Sequence, residues 1–268
     1  MTKLTHSAWL KSLWPWAALG LGLAATAPAA HAALQDEIQV YTDEINAPGE
    51  YGLELHVNST PSGIAAPSYP GEVTSLHGLR LTPEFSRGLT RTVEVGLYVP
   101  TVYASVGSWY APGLKARIKW LPIQPAEHGG FFAGVNLEYS QISQRFAASP
   151  RAGEMRNILG WRNDDWMLAI NPIFGFAYSP GVAHTPGLEI ATKITRKVRE
   201  GWALGWERYN ERGPYNQSLP FNQQVLVNYV VSDLEFRGYD FNVGVGRAQT
   251  TASDKWTLKA IIGFPLGE

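Results

Sequence analysis

Two sets of residues could do chemistry. Glu54 and His56 stand two residues apart in GEYGLELHVN (49–58), and Lys115, Arg117 and Lys119 stand two apart in GLKARIKWL. A carboxylate beside an imidazole is the material of general acid–base catalysis. Three cations in a row could hold an anion. A spacing of two is also the period of a β-strand, so each set is first of all one face of a strand. His56 beside Glu54 is then expected to be a hydrogen-bonding group in a wall, and the cationic row one rail of a salt-bridge ladder with Glu94 and Glu138 on neighbouring strands. Nothing else points to catalysis. His77, His128 and His184 share no metal-ligand spacing, and no Gly-x-Ser-x-Gly or His-x-Ser nucleophile is present. The expectation is no catalytic, cofactor-binding or metal residues, and no cofactor.

These residues belong to a pattern that fills the chain. In residues 49–58, Tyr51, Leu53, Leu55 and Val57 alternate with Gly52, Glu54, His56 and Asn58. The alternation returns about every 20 residues, giving about 12 strands. Leu114, Ala116, Ile118 and Trp120 alternate with the three cations. Val93, Val95, Leu97 and Val99 oppose Glu94, Gly96 and Tyr98, and Phe131 to Tyr139 oppose Gly134, Asn136 and Glu138. Ile158 falls off its strand's apolar face. FNQQVLVNYV is a weaker case, with Phe221, Val225, Val227 and Tyr229 assigned to the apolar face. Connections after odd strands run long and rich in Pro, Gly, Ser and Asn. Most of those after even strands are short, PIQPAEHGG being the exception.

Long–short alternation around an even number of strands is the anatomy of an outer-membrane barrel. The minority face is rich in glycine and charge, whereas the apolar face carries Tyr or Trp near strand ends (Tyr51, Trp120, Trp161, Trp166, Tyr178, Trp202, Trp256), as interfacial girdles do. Apolar residues then face lipid. The lumen-lining set becomes Glu54, His56, Arg80, Glu84, Glu94, Lys115, Arg117, Lys119, Glu138, Arg156, Glu189, Lys193, Glu207, Asp240 and Lys259, with seven charges of each sign apart from His56. Equal numbers fit either a neutralising lattice that plugs the lumen or opposed walls of a polar pore.

The N-terminus sets the compartment. Lys3 and Lys11 precede an apolar stretch from about Leu13 to Ala27, and Ala30-His31-Ala32 follows. That is the form of a secretory signal peptide cleaved after Ala32. Its loss takes two of the 22 basic side chains and none of the 23 acidic ones, moving the net charge from −1 to about −3. That balance argues against a nucleic-acid partner. With no cysteine, the exported chain is held without disulfides. The next residues, 33–48, form an acidic segment with Asp36, Glu37, Asp43 and Glu44. It is expected either to hang in the periplasm as a solvated tail, the simpler outcome, or to fold up into the lumen as a plug on inward Lys and Arg. Residues 49–268 are the barrel. Its last five, Phe264-Pro265-Leu266-Gly267-Glu268, lack the terminal aromatic residue that the barrel-assembly machinery reads in many outer-membrane barrels.

The stretch DEIQVYTDEINAPGEYGLELHVN, followed by PEFSRGLTRTVEVGLYVP, resembles the N-terminal half of the meta-pathway phenol degradation family of proteobacterial outer-membrane β-barrel proteins. The resemblance covers roughly residues 35–100 and carries no site residues over. It implies a Gram-negative outer-membrane barrel, and a channel for aromatic or other small hydrophobic solutes.

The sequence therefore predicts an all-β protein, a single antiparallel up-and-down transmembrane β-barrel behind a cleaved signal peptide. Its expected partners are the outer-membrane bilayer, a small-molecule solute and, in biogenesis, the barrel-assembly machinery. The expected function is a narrow porin-like channel. A lipid-modifying outer-membrane enzyme and a structural or adhesive barrel with a plugged lumen are the alternatives.

Overall fold

A computed structural model describes residues 36–266. The expected leader, its cleavage site and residues 33–35 lie outside the described residues. The strands are β1 (Tyr51–Ser62), β2 (Leu79–Gly88), β3 (Val93–Tyr98), β4 (Thr101–Ala104), β5 (Ser108–Tyr110), β6 (Gly113–Ile123), β7 (Gly129–Ile142), β8 (Arg151–Asn163), β9 (Trp166–Ala177), β10 (Gly187–Arg199), β11 (Trp202–Pro214), β12 (Val225–Phe236), β13 (Tyr239–Ala248) and β14 (Trp256–Phe264). Neighbours in the wall pair antiparallel, and β1 pairs with both β2 and β14, so the sheet closes on itself. Pro100 cannot donate to a ladder. It splits one stave into β3 and β4, with β5 folding back on β4. Counting β3 and β4 as one stave and leaving out β5, which pairs only with β4, gives a barrel of 12 strands among the described residues.

Connections sort by end. Residues 63–78, 143–150, 178–186, 215–224 and 249–255 are long loops, and β5 lies in another on the same side. Residues 89–92, 164–165, 200–201 and 237–238 are short turns. The exception disappears, because β6 runs to Ile123 and β7 starts at Gly129, leaving only 124–128 between them. One of the three two-residue turns puts both Arg237 (φ 54°) and Gly238 (φ 80°) in the left-handed region, as a type I′ hairpin turn matched to strand twist does.

The two faces separate cleanly. Leu114, Ile118, Trp120, Leu137, Leu168, Val245 and Leu258 are exposed on the outside, whereas Arg117, Lys119, Glu138 and Lys259 are buried inside. An apolar outer belt on a closed wall is what a bilayer solvates. Glycines of the inner face make room for large partners. A Cβ at Gly96 would lie 2.8 Å from Nε of Arg117 across the ladder, and one at Gly246 would strike the Tyr229 ring.

Two expectations about facing are corrected. In β12 both faces are apolar, so periodicity could not orient it. Its register with Glu207 on β11 and Gly246 on β13 turns Tyr229 inward with Val227 and Val231, and Val230 is the exposed residue at 71%. Phe221 lies outside the strand, in a single 3₁₀ turn (Phe221–Gln223). Asp240 shares the inward parity of β13 but sits at the strand's start by the 237–238 turn. It is exposed at the mouth rather than lining the lumen. Ile158, off the outer face in the sequence, is fully buried inside.

Candidate functional site: a threaded lumen

Residues 36–46 run inside the barrel. The turn at 47–50 lets the chain reverse. Glu50 N–H donates to the Ala47 carbonyl (3.0 Å), Gly49 takes φ 88°, and its N–H reaches the Gly88 carbonyl at 2.8 Å. From that turn β1 runs up the wall and residues 46 to 36 run up the lumen. The segment's ends meet the wall at Ser86, paired with Gly52, and at Asn58, six residues along β1 and so about 20 Å apart.

The segment belongs to no strand, and the wall grips it with side chains. At the turn end, Asn46 N–H donates to Glu94 (2.8 Å) and its amide to Ser86 (2.8 Å). Asp43 meets Arg162 at 2.7 Å. Asn171 brackets Tyr41, accepting from its N–H at 2.7 Å and donating to its carbonyl at 3.1 Å, and the Tyr41 hydroxyl bonds that of Tyr98 at 2.7 Å. Arg156 donates to the Gln39 carbonyl (2.7 Å) and Lys259 to the Ile38 carbonyl (3.0 Å). At the tip Lys115 holds Asp36 (3.5 Å) and Glu37 (3.3 Å).

The lumen is two-sided. Strands β1, β2, β3 and β6 supply most of the charge lattice. Glu84 accepts from His56 (3.1 Å) and Arg117 (2.7 Å), and Glu94 pairs with Arg117 (2.7 Å) and Lys119 (3.2 Å). Glu138 pairs with Lys115 at 3.1 Å. The opposite wall is apolar where Ile158, Ile173, Ala191 and Val231 pack, and Ile38, Val40 and Ile45 of the segment lie against that cluster. The segment is thus amphipathic in an amphipathic tube, with polar groups toward the lattice and apolar ones toward the cluster.

The remaining expected residues fall around this core. Arg156 pairs with Glu154 (3.0 Å) and Lys193 with Asp233 (2.9 Å). Glu207 is 1% exposed and binds Lys259 and the Tyr209 hydroxyl. Glu189 lies across the ladder from Glu211, and Glu54 across from Glu84. Arg80 is buried, and its Nε and Nη2 have no hydrogen-bond partner among the described residues. Tyr98, Asn171, Tyr209 and Arg162 went unremarked as site residues. Inward parity already marked Tyr98, but only charge drew attention in the sequence.

Glu54, His56 and Glu84 bring three ligand-type atoms within 4.8 Å. Arg117 already holds Glu84, and among the described residues His56 Nδ1 is buried without the outer-sphere partner that a metal-bound imidazole needs. The trio fits a node of the hydrogen-bonded lattice better than a metal site. Above the segment's tip, beneath the long loops, lies a cavity of about 80 Å³ lined by Ile38, Thr60, Glu72, Tyr229 and Asp254 among others.

The barrel, its apolar belt and its filled lumen can now be set beside known proteins. The chain matches no protein-family model and no curated protein. Among solved structures it is similar to the COG4313 outer membrane channel from Pseudomonas putida F1, with a TM-score of 0.55 and 12% identity over 85% of this chain and 100% of that one. The chain has the fold of an outer-membrane β-barrel. It also aligns with the KdgM porin (TM-score 0.49, 12% identity, 81% of this chain and 99% of that chain) and the NanC porin (TM-score 0.49, 10% identity, 81% and 100%).

Proposed function

We propose that the protein is an outer-membrane channel for small solutes whose lumen is stoppered by its own residues 36–46 and conducts when that segment undocks. One observation carries this reading. The segment filling the lumen is held by side-chain bonds to the wall and by no strand ladder. It can therefore leave without breaking the barrel. The fold shared with the Pseudomonas putida channel supports the same reading. The resemblance of residues 35–100 to the meta-pathway phenol degradation family adds aromatic solutes as the class carried. In this reading the leader is removed after Ala32 and the barrel-assembly machinery inserts the chain. Among the described residues the recorded partners of His56, His128 and His184 are carboxylates or a backbone carbonyl and include no Ser hydroxyl, the nucleophile that a lipid-modifying triad needs.

The filled lumen also favours a second reading, a structural barrel in which the segment never leaves. Single-channel recording separates the two. The chain from Ala33, inserted in a planar bilayer, should give stepwise conductance with closures. Silence from protein shown to be inserted would leave the structural reading standing.

A further inference from the structure

Tyr41 is a phenol captured by the lumen. It is 4% exposed, and three cations face its ring, with Arg156 at 4.6 Å, Lys119 at 5.3 Å and Arg117 at 5.8 Å from the centroid. Cations at this range are held by the negative face of an aromatic ring. The hydroxyl is read by Tyr98 at 2.7 Å. Directly beyond Tyr98 comes a second subsite. Lys115 Nζ stands 4.8 Å from the Tyr98 ring and carries the Asp36 and Glu37 carboxylates. Arg80 lies across the ladder from Asn58, whose amide donates to the Asp36 carbonyl at 3.2 Å, and keeps two buried donors unused among the described residues.

We infer that these two subsites, which both touch the Tyr98 side chain, bind the solute, and that the solute is an aromatic carboxylate. The inference rests on the channel reading above, in which the segment undocks. The segment acts as a tethered competitor, with Tyr41 in the ring slot and Asp36 and Glu37 on the cations.

Charge decides the class. When the segment leaves, Lys115 loses two of its three carboxylate partners and keeps Glu138, and Arg80 gains nothing. Cations left uncompensated in a protein wall are costly. A neutral ring would fill the slot at Tyr98, leaving Lys115 with Glu138 alone and the two Arg80 donors unused. An aliphatic diacid would satisfy the cations and leave the cation-lined slot without a ring. A ring bearing a carboxylate does both. The unused Arg80 donors point the same way, since buried donors are normally satisfied and the segment in place does not satisfy these.

The test uses the chain from Ala33 with Gln39→Cys, the single thiol in a sequence that has no cysteine. Labelling of that thiol by a charged maleimide reports undocking. The probes are 4-hydroxybenzoate, phenol and succinate. 4-Hydroxybenzoate should accelerate labelling saturably, at concentrations at least tenfold below those needed for phenol or succinate. In Arg80→Gln, and separately in Lys115→Gln, that preference over phenol should vanish while the barrel stays folded by gel mobility. Phenol or succinate matching 4-hydroxybenzoate in the parent would overturn the inference, as would a rate indifferent to all three. Ligand-driven labelling with silent bilayers would uphold this site and sink the channel reading. Conductance without ligand-driven labelling would do the reverse.

Discussion

Tyr41→Ala is the most informative single change. The side chain is buried, its hydroxyl bonds Tyr98, and its ring faces three cations. Truncating a buried aromatic residue to alanine costs about 3–5 kcal/mol. Here the cost falls on docking of the segment, because the twelve staves and their ladders contain no part of residues 36–46. At 1.4 kcal/mol per tenfold, the undocked fraction should rise roughly 150- to 4,000-fold. Tyr41→Phe removes only the hydroxyl bond, worth about 0.5–1.5 kcal/mol, and should raise it roughly 2- to 12-fold. The assay is maleimide labelling of Gln39→Cys without ligand, in the regime where docking is fast and the rate tracks the open population. Gel mobility of the folded barrel serves as the control. A rise below threefold in Tyr41→Ala would show that the ring does not hold the segment. Equal rates in the alanine and phenylalanine variants would show that the slot does not grip the ring.

Three further changes probe the wall. Leu55→Arg places a cation on the outer face of β1 and should impair assembly by about 2–4 kcal/mol if it meets the bilayer midplane. Normal folding yield in lipid would contradict the outward assignment. Glu207→Gln strands Lys259, whose other acceptors are the Ile38 carbonyl and the Tyr209 hydroxyl. Urea unfolding should show a loss of about 3–5 kcal/mol, and Lys259→Met added to it should restore most of that. A double variant no better than the single would refute the pairing. Glu54→Ala removes the partly exposed carboxylate opposite Glu84 and should shift the reversal potential in a salt gradient. An unchanged potential would place Glu54 off the conduction path.

Much of the wall was legible because a strand's period is two and lipid imposes one chemistry on one face. The row Lys115, Arg117, Lys119 shows this, alternating with Leu114, Ile118 and Trp120. Where both faces are apolar the signal vanishes, and β12 was oriented by Glu207 and Gly246 across its ladders, which no local window contains. Asp240 shows a different limit, since parity gives the face of a residue and not its depth. The threaded segment was the least legible part. Ile38, Val40 and Ile45 are too few to make a lipid-facing strand, and acidity alone suits a solvated tail equally well. Its position depends on partners far along the chain, Asn171, Arg156 and Lys259, which only a closed barrel brings around one short peptide. The inner apolar cluster of Ile158, Ile173 and Val231 was hidden for the same reason.

The most direct measurement is single-channel recording of the chain from Ala33 beside its Tyr41→Ala variant, in the same planar bilayer. The parent should be mostly closed with brief steps, and the variant should show steps of similar size with a far higher open probability. Two inserted proteins that are both silent, or that conduct with the same open probability, would contradict a lumen gated by residues 36–46.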